Sequence, residues 1–324
     1  MKKIAIIGAG QIGSRHLQSL AKTDIEISIE IVEPDSNAAD IAQKRYEEIY
    51  KNEKITKVSF CDSIDKISSE LDLVIVATNS NIRYEITKQL LKTKTIKNLV
   101  LEKVLFQEIK HYYDIEKLLN ETKTKCWVNH PRRMYPFYQN LKKDLIGAKQ
   151  INFSIHGGNW GLACNGLHFL DIFSYLSNKN SLAINTDYLF KKIYTSKREN
   201  YIEFNGKLVG TIGSHFFTLF SDENTTPTFM TISSDKLVAF IDEVNGFVRI
   251  STKANRWKWE IIQNKIIYYQ SELTHLLIKE LFSKSNCSLP SYHEAMQLHI
   301  SFIQSLLDYM ESIEGKKHRN CPIT

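Results

Sequence analysis

Three glycines spaced as Gly8-x-Gly10-x-x-Gly13 stand between an apolar run, KIAIIG (3–8), and a segment of helical spacing, QIGSRHLQSLAK. Each has a chemical use. The first permits a tight turn, the second lets main chain approach a pyrophosphate, and the third lets helix and strand pack closely. The helix then opens at Gln11 and Ile12 with N–H groups that have no partner inside it and face an incoming anion. Glu33 ends the next β-branched run, EISIEIVE (26–33). Its carboxylate can accept hydrogen bonds from ribose hydroxyls, and its charge disfavours a 2′-phosphate. These residues imply a bound dinucleotide, NAD rather than NADP, with Asp35 close enough to share the role of Glu33.

Two further polar groups end apolar runs. Thr78 and Asn79 follow LDLVIVA (71–77), and Glu102-Lys103 close KNLVLE (97–102). In a doubly wound sheet, ligands lie beyond the carboxyl ends of the strands. Thr78, Asn79 and Glu102 are therefore expected beside the cofactor, although Thr78 and Asn79 suit the cap of the next helix equally well. A lysine near a cationic nicotinamide has its ammonium form disfavoured and moves toward proton transfer; charged, it polarises a substrate oxygen. A surface lysine paired with a carboxylate is the plainer account of Lys103.

The stretch NWGLACNGLHFLD (159–171) places Cys164, Asn165, His168 and Asp171 in an otherwise apolar helix. A helix beginning near Cys164 sets Cys164, His168, Asp171 and Tyr175 on one face. The plain account is a core histidine held by Asp171 with Asn165 capping the helix. The chemical account makes His168 the group that takes a hydroxyl proton as hydride leaves carbon. An amide such as Asn165 both donates to and accepts from a sugar hydroxyl. Arg132, Arg133 and Tyr135, in NHPRRMYPFY (129–138), could bind a hydroxylated or phosphorylated substrate, and Trp160 offers a ring face to a sugar.

The elements that must position these groups fall into two patterns. Through residue 130, short β-branched runs alternate with amphipathic ones, including SNAADIAQKRYEEIY (36–50), which predicts a parallel sheet covered by helices. From 131 to 324 the pattern changes to a strand (149–156), the helix described above, and then strands without intervening helices. The latter run from YIEFNGKLVGTIGSHFFTLF (201–220) to WKWEIIQNKIIYYQ (257–270), with Asn205-Gly206 and Asn245-Gly246 as hairpin signals. Helices over 271–284 and 291–313 close the chain. The expectation is an α/β protein: a doubly wound parallel sheet over 1–130, which binds NAD(P), and an α+β domain over 131–324 with a large open, mostly antiparallel sheet.

With 43% hydrophobic and 24% charged residues, the composition excludes disordered and fibrous classes. The net charge of +6 owes much to GKKHRN (315–320), a solvated tail, and no basic stripe interleaved with aromatics points to nucleic acid. Five scattered cysteines form no C-x-x-C pair, which predicts no structural metal and a reducing cytoplasm. No apolar run is long enough to span a membrane.

The ordered set AIIGAGQIGSRH, VATNSN, EKV, G-x-H-x-x-D (166–171), LPSYHEAMQLHISFI and CPIT resembles the oxidoreductases named after glucose-fructose oxidoreductase, inositol dehydrogenase and a rhizopine catabolism protein, the Gfo/Idh/MocA family. The resemblance implies a Rossmann domain and a second domain whose open sheet joins subunits into a homodimer or homotetramer. It also implies a sugar or nucleotide-sugar substrate and a catalytic pair carried by Lys103 and His168. Two positions depart from the family pattern: Val104 replaces its usual proline, and Cys164 replaces a frequent aspartate. Two alternatives go with it: redox-assisted hydrolysis or epimerisation with tightly held NAD, and an NAD-binding regulator without turnover.

Overall fold

Strand β1 (Lys2–Ile7), helix α1 (Gln11–Leu20), β2 (Ile27–Val32), α2 (Ser36–Glu47) and β3 (Ile55–Cys61) form one half of the first sheet. The other half is β4 (Glu70–Val76), α3 (Ser80–Thr93), β5 (Thr95–Glu102), α4 (Ile109–Thr122) and β6 (Lys125–Asn129). The computed structural model describes residues 1–49 and 51–324; the helix expected over 36–50 ends at Glu47, and its last expected residue, Tyr50, lies outside the described residues. All six strands are parallel, in the order β3-β2-β1-β4-β5-β6. Their centres, among them Ile4, Ile6, Leu73, Ile75, Leu99 and Val100, are fully buried. Such unbroken apolar runs are what a sheet covered on both faces requires. The order reverses between β1 and β4, so the connections leaving these strands diverge and open a crevice at their carboxyl ends.

The second sheet is built from β7 (Ile151–Gly158), β8 (Leu182–Leu189), β11 (Gly206–Ile212), β12 (His215–Asp222), β13 (Thr226–Ser234), β14 (Leu237–Asp242), β15 (Phe247–Thr252) and β16 (Trp259–Gln263), with β9 (Tyr194–Thr195) and β10 (Ile202–Glu203) as a separate short ribbon. Its order is β16-β15-β14-β13-β7-β12-β11-β8, antiparallel except where β12 runs parallel to β7. Helix α5 (Pro136–Asp144) precedes β7, and α6 (Leu162–Ser177) lies against the sheet's inner face, where Phe173 stacks on Phe153 at 5.1 Å. Strand register places Phe216, Phe240, Trp259 and Ile261 together on the opposite face, and all four are exposed.

Two features of this sheet differ from expectation. Asn205-Gly206 is not a hairpin turn: Gly206 already pairs with Leu189 and Ser221, and the Asn205 amide accepts from the Ser221 hydroxyl. The hairpin turn is Gly213-Ser214, with Gly213 at φ +58° and Ile212 paired to His215. Strand β8 was not expected. It is an edge strand exposed on one side, so its side chains carry little apolar alternation.

By contacts the chain divides into two units. The first comprises 1–106, 110–131 and 268–293; the second comprises 107–109, 132–267 and 294–324. The first unit thus gains α7 (Thr274–Lys284), while α8 (Tyr292–Glu314) belongs mainly to the second.

Candidate active site

In the first unit a cleft of about 420 Å³ opens at the switch point, lined by Gly8, Gly10, Glu33, Thr78 and Asn79 among others. Gly8 has φ +87°, and a Cβ on Gly13 would fall 1.8 Å from the Gly8 carbonyl oxygen. Both positions therefore demand glycine. Gly10, by contrast, faces open space, leaving room for a phosphate against the main chain. Gln11 and Ile12 stand exposed at the start of α1, whose first N–H groups lack intrahelical acceptors. Glu33 is fixed at the rim: one carboxylate oxygen accepts from the Ala9 N–H at 2.6 Å and the other from the Asp35 N–H at 3.1 Å. Asp35 caps α2, its Oδ1 accepting from the Asn37 and Ala38 N–H groups. Asn79 is the N-cap residue of α3 without a side-chain cap bond.

Arg83, on α3, is 2% exposed. Its guanidinium donates to the carbonyls of Thr78, Val104 and Leu105, joining the segment after β4 to the segment after β5. Half-buried Lys103 stands between them at the end of β5, and its peptide bond to Val104 is cis.

Glu102 points away from the cleft role expected of it. Its side chain lies in a closed ring of five polar side chains within the first unit. Glu102 receives the Nε2 of His16 at 3.0 Å and the amide of Asn129 at 2.5 Å. The Asn129 amide also donates to Gln270 (2.8 Å), Gln270 donates to Thr274 (2.9 Å), and the Thr274 hydroxyl meets Nδ1 of His16 at 2.8 Å. Burial disfavours the charged carboxylate, yet the bond and charge of His16, with Asn129, hold the Glu102 carboxyl below its ordinary value of 4.5. A depressed folded-state value means stability that is present above the unfolded value and lost as pH falls through the folded one. Glu102→Gln is accordingly expected to flatten the fall in melting temperature below pH 4.5; an unchanged acid limb would remove Glu102 from the account.

In the second unit, α6 begins at Leu162 behind Gly161, earlier than expected, so Asn165 lies inside the helix and does not cap it. The helix N-terminus is instead met by Glu203 of β10, which accepts from the Ala163, Cys164 and Phe204 N–H groups. Burial nevertheless pushes the Glu203 carboxyl up. Cys164, His168 and Tyr175 form a half-buried face of α6, as the helical spacing predicts. Asp171, on the same side, is committed to Arg133 rather than to His168: Nε and Nη2 of Arg133 reach its two oxygens at 2.9 and 2.7 Å. Arg133 also bonds Glu294 at 2.8 Å.

A second cleft, of about 250 Å³, lies within this unit and is lined by Arg132, Trp160, Asn165, Phe169, Met230 and Glu243 among others. Trp160 packs edge-on against Phe169, with centroids 5.3 Å apart, and its Nε1 donates to the Phe220 carbonyl at 2.8 Å. Arg132 lies over the Phe169 ring at 4.6 Å. Arg132, Trp160 and Asn165 thus come together at one cleft. Tyr135, only 5% exposed, serves as N-cap residue of α5 and is not among the lining residues. His16, Arg83, Gln270, Thr274, Glu203 and Glu243 were not expected from sequence. Only Arg83 left a trace, as a charged residue sharing helical spacing with the buried Thr87, Leu90 and Leu91.

A glycine-loop dinucleotide cleft at the switch point of a 3-2-1-4-5-6 sheet defines a nucleotide-binding Rossmann unit. Residues 2–130 match the model of the oxidoreductase family with an NAD-binding Rossmann fold, Gfo/Idh/MocA. This part of the chain is similar to the NAD-binding domain of that family. No curated protein matches the chain. Among solved structures, the chain is similar to an oxidoreductase from Agrobacterium radiobacter in complex with NAD+, L-tartaric acid and magnesium (12% identity, 98% of each chain, TM-score 0.71). It is also similar to the UDP-N-acetylglucosamine 3-dehydrogenase GnnA of Acidithiobacillus ferrooxidans (12% identity, 94% of this chain and 96% of that one, TM-score 0.67). A super-repressor mutant of Gal80p from Saccharomyces cerevisiae shares the fold as well (13% identity, 96% of each chain, TM-score 0.72). At these identities the similarity is one of fold. Among the described residues no helix is long and apolar enough to cross a membrane, and no cluster of three or more His, Cys, Asp or Glu side chains could hold a metal ion.

Proposed function

We propose that the protein is an NAD-dependent dehydrogenase acting on a secondary alcohol of a sugar or nucleotide-sugar. The observation that carries this is the glycine-built NAD cleft of the first unit; Lys103 ends β5 in that unit, and His168 lies on a half-buried face of α6 in the second. NAD, when bound, would supply the hydride acceptor, and the chain's residues would hold it and the substrate. The N–H groups of Gln11 and Ile12 meet the pyrophosphate, and Glu33, fixed by Ala9, accepts from the adenosine ribose hydroxyls. Its charge favours NAD over NADP. Thr78 and Asn79 flank the nicotinamide half. Lys103 polarises the substrate oxygen, and the His168 imidazole takes the hydroxyl proton. Arg132, Trp160, Asn165 and Cys164 bind the sugar, with Tyr135 supporting them from α5.

The test is the absorbance and mass spectrum of material released by denaturing the purified protein with and without sugars. NADH appearing only with a particular sugar supports the reading, and absence of nicotinamide binding under added NAD or NADP ends it. A second reading, a regulator that binds NAD without turnover, draws on the shared fold with Gal80p and on Cys164 at a position where the family it resembles often has an aspartate. Bound NAD that no sugar reduces favours it.

The exposed face carrying Phe216, Phe240, Trp259 and Ile261 also fits a subunit interface, since several large apolar side chains on one open sheet face suit burial against a partner. Phe240→Asp is expected to convert a dimer or tetramer to monomer in light scattering. A variant that keeps the wild-type mass places the interface elsewhere.

A further inference from the structure

A chain of close contacts runs through the first unit from the glycine loop to Lys103. Thr78 packs so tightly on Gly8 that a Cβ added to that glycine would fall 3.1 Å from the Thr78 N and Cγ2. The Thr78 carbonyl accepts from Nη2 of Arg83. Nη1 of the same guanidinium donates to the Val104 carbonyl and, at 3.3 Å, to that of Leu105. Val104 and Leu105 follow Lys103 directly, and both are fully buried. One side chain therefore ties the strand end that lines the NAD cleft to the strand end that carries Lys103.

The shape of this group matters as much as its charge. A guanidinium holds its donors in a rigid planar fork and reaches acceptors on two segments at once, whereas an ammonium offers all its donors from a single nitrogen. Valine at 104 leaves that segment backbone freedom which a proline ring would remove, and the fork supplies restraint at the same peptide. Placing a cation here is costly, because Arg83 is 2% exposed on the buried side of α3 that also carries Thr87, Leu90 and Leu91. Glu102 answers the charge from within the unit: burial pushes its carboxyl up, while His16, Asn129 and then Arg83 hold it below its ordinary value. An apolar residue would pack on that side of α3 without this cost, so the arginine serves the two strand ends.

We infer that Arg83 is a positioning residue whose guanidinium fork sets where Lys103 stands relative to the cofactor cleft. The inference rests on the dehydrogenase reading for what Lys103 does, but the tie itself is measured without turnover.

Wild type, Arg83→Lys and Arg83→Met, each as the full chain with NAD, are digested with trypsin under native conditions, and the cleaved bonds are assigned by mass spectrometry. Cleavage after Lys103 requires its segment to open, so the rate follows how often the tie is broken. Both variants are expected to be cut there about tenfold or more faster than wild type, as loss of a hydrogen bond to a charged group provides. Cleavage after the exposed Lys197 and Lys258 of the second unit is expected to stay unchanged. With the sugar that reduces NAD, kcat is expected to fall about tenfold to a hundredfold in Arg83→Lys, since a small misplacement of a reacting group is costly. NAD affinity is expected to hold, because Gly8, Gly10 and Glu33 are untouched. Wild-type behaviour of Arg83→Lys overturns the inference by making charge sufficient, and local cleavage with undiminished kcat overturns it by making the tie irrelevant to Lys103. A rise in cleavage at every site alike, or failure of both variants to fold, assigns Arg83 to the core and also overturns it. Sugar-dependent NADH with unchanged cleavage after Lys103 sinks the inference alone, whereas faster local cleavage without NADH from any sugar sinks the dehydrogenase reading alone.

Discussion

On the proposed dehydrogenase function, Lys103→Met is expected to lower turnover by about 10²–10⁴-fold, the range for loss of a positioned proton-transfer or polarising group, and to leave NAD affinity unchanged. The substitution is chosen for shape. Methionine keeps the unbranched apolar stem of a half-buried side chain and deletes the charged head. The carbonyls of Val104 and Leu105 that follow it are held by Arg83. Steady-state kcat and KM with the sugar that reduces NAD, together with an NAD titration, separate the outcomes. A fall in kcat with both binding constants preserved assigns Lys103 to the chemical step. Full turnover in the variant would falsify that role and leave His168 to carry proton transfer without it.

The second large effect concerns stability. Asp171→Asn is expected to destabilise the second unit by about 3–5 kcal/mol, because breaking one side of a buried ion pair strands the other charge. Arg133 is 5% exposed and Asp171 fully buried, so water reaches neither in compensation. Asparagine preserves volume, which isolates charge from packing. The guanidinium keeps its bond to Glu294, a group 36% exposed in its side chain, and that partner is too solvated to replace the lost one. Urea unfolding of wild type, Asp171→Asn and the double variant Arg133→Met/Asp171→Leu measures the effect. The double variant is expected to regain much of the loss, since an apolar pair of similar volume leaves no charge uncompensated. A loss below about 1 kcal/mol in the single variant would place the pair among the weak surface bridges and contradict its burial.

What could be read from the sequence follows the range over which each interaction acts. The glycine loop, Glu33 and the strand ends bearing Thr78 and Lys103 are encoded by neighbours within one strand-turn-helix unit, and the structure places them around one crevice or at its strand ends. Helical spacing likewise gathered Cys164, His168, Asp171 and Tyr175 on one side of α6. Partnerships across elements were not readable. Asp171 reads as a companion of His168 because they are three residues apart, but its carboxylate goes to Arg133, which comes from the segment before α5. Glu102 reads as a cofactor residue by its strand end, yet His16 and Asn129 claim its side chain. Nothing in local spacing announced that Glu203, on a two-residue strand, would meet the N-terminus of α6. The return of 268–293 to the first unit also has no local signature, because α7 has the pattern of any amphipathic helix.

That return sets an order on biosynthesis. The ring around Glu102 is closed by Gln270 and Thr274, so the cofactor unit cannot finish when its six strands have emerged from the ribosome. During translation His16 and Asn129 await their bonds to Thr274 and Gln270 while the second sheet is made, and the N-terminal unit is completed only near the end of the chain. Domains that fold as contiguous units can be released one after another; here the first to begin is among the last to close, and a nascent chain stalled before residue 274 carries an open ring around Glu102.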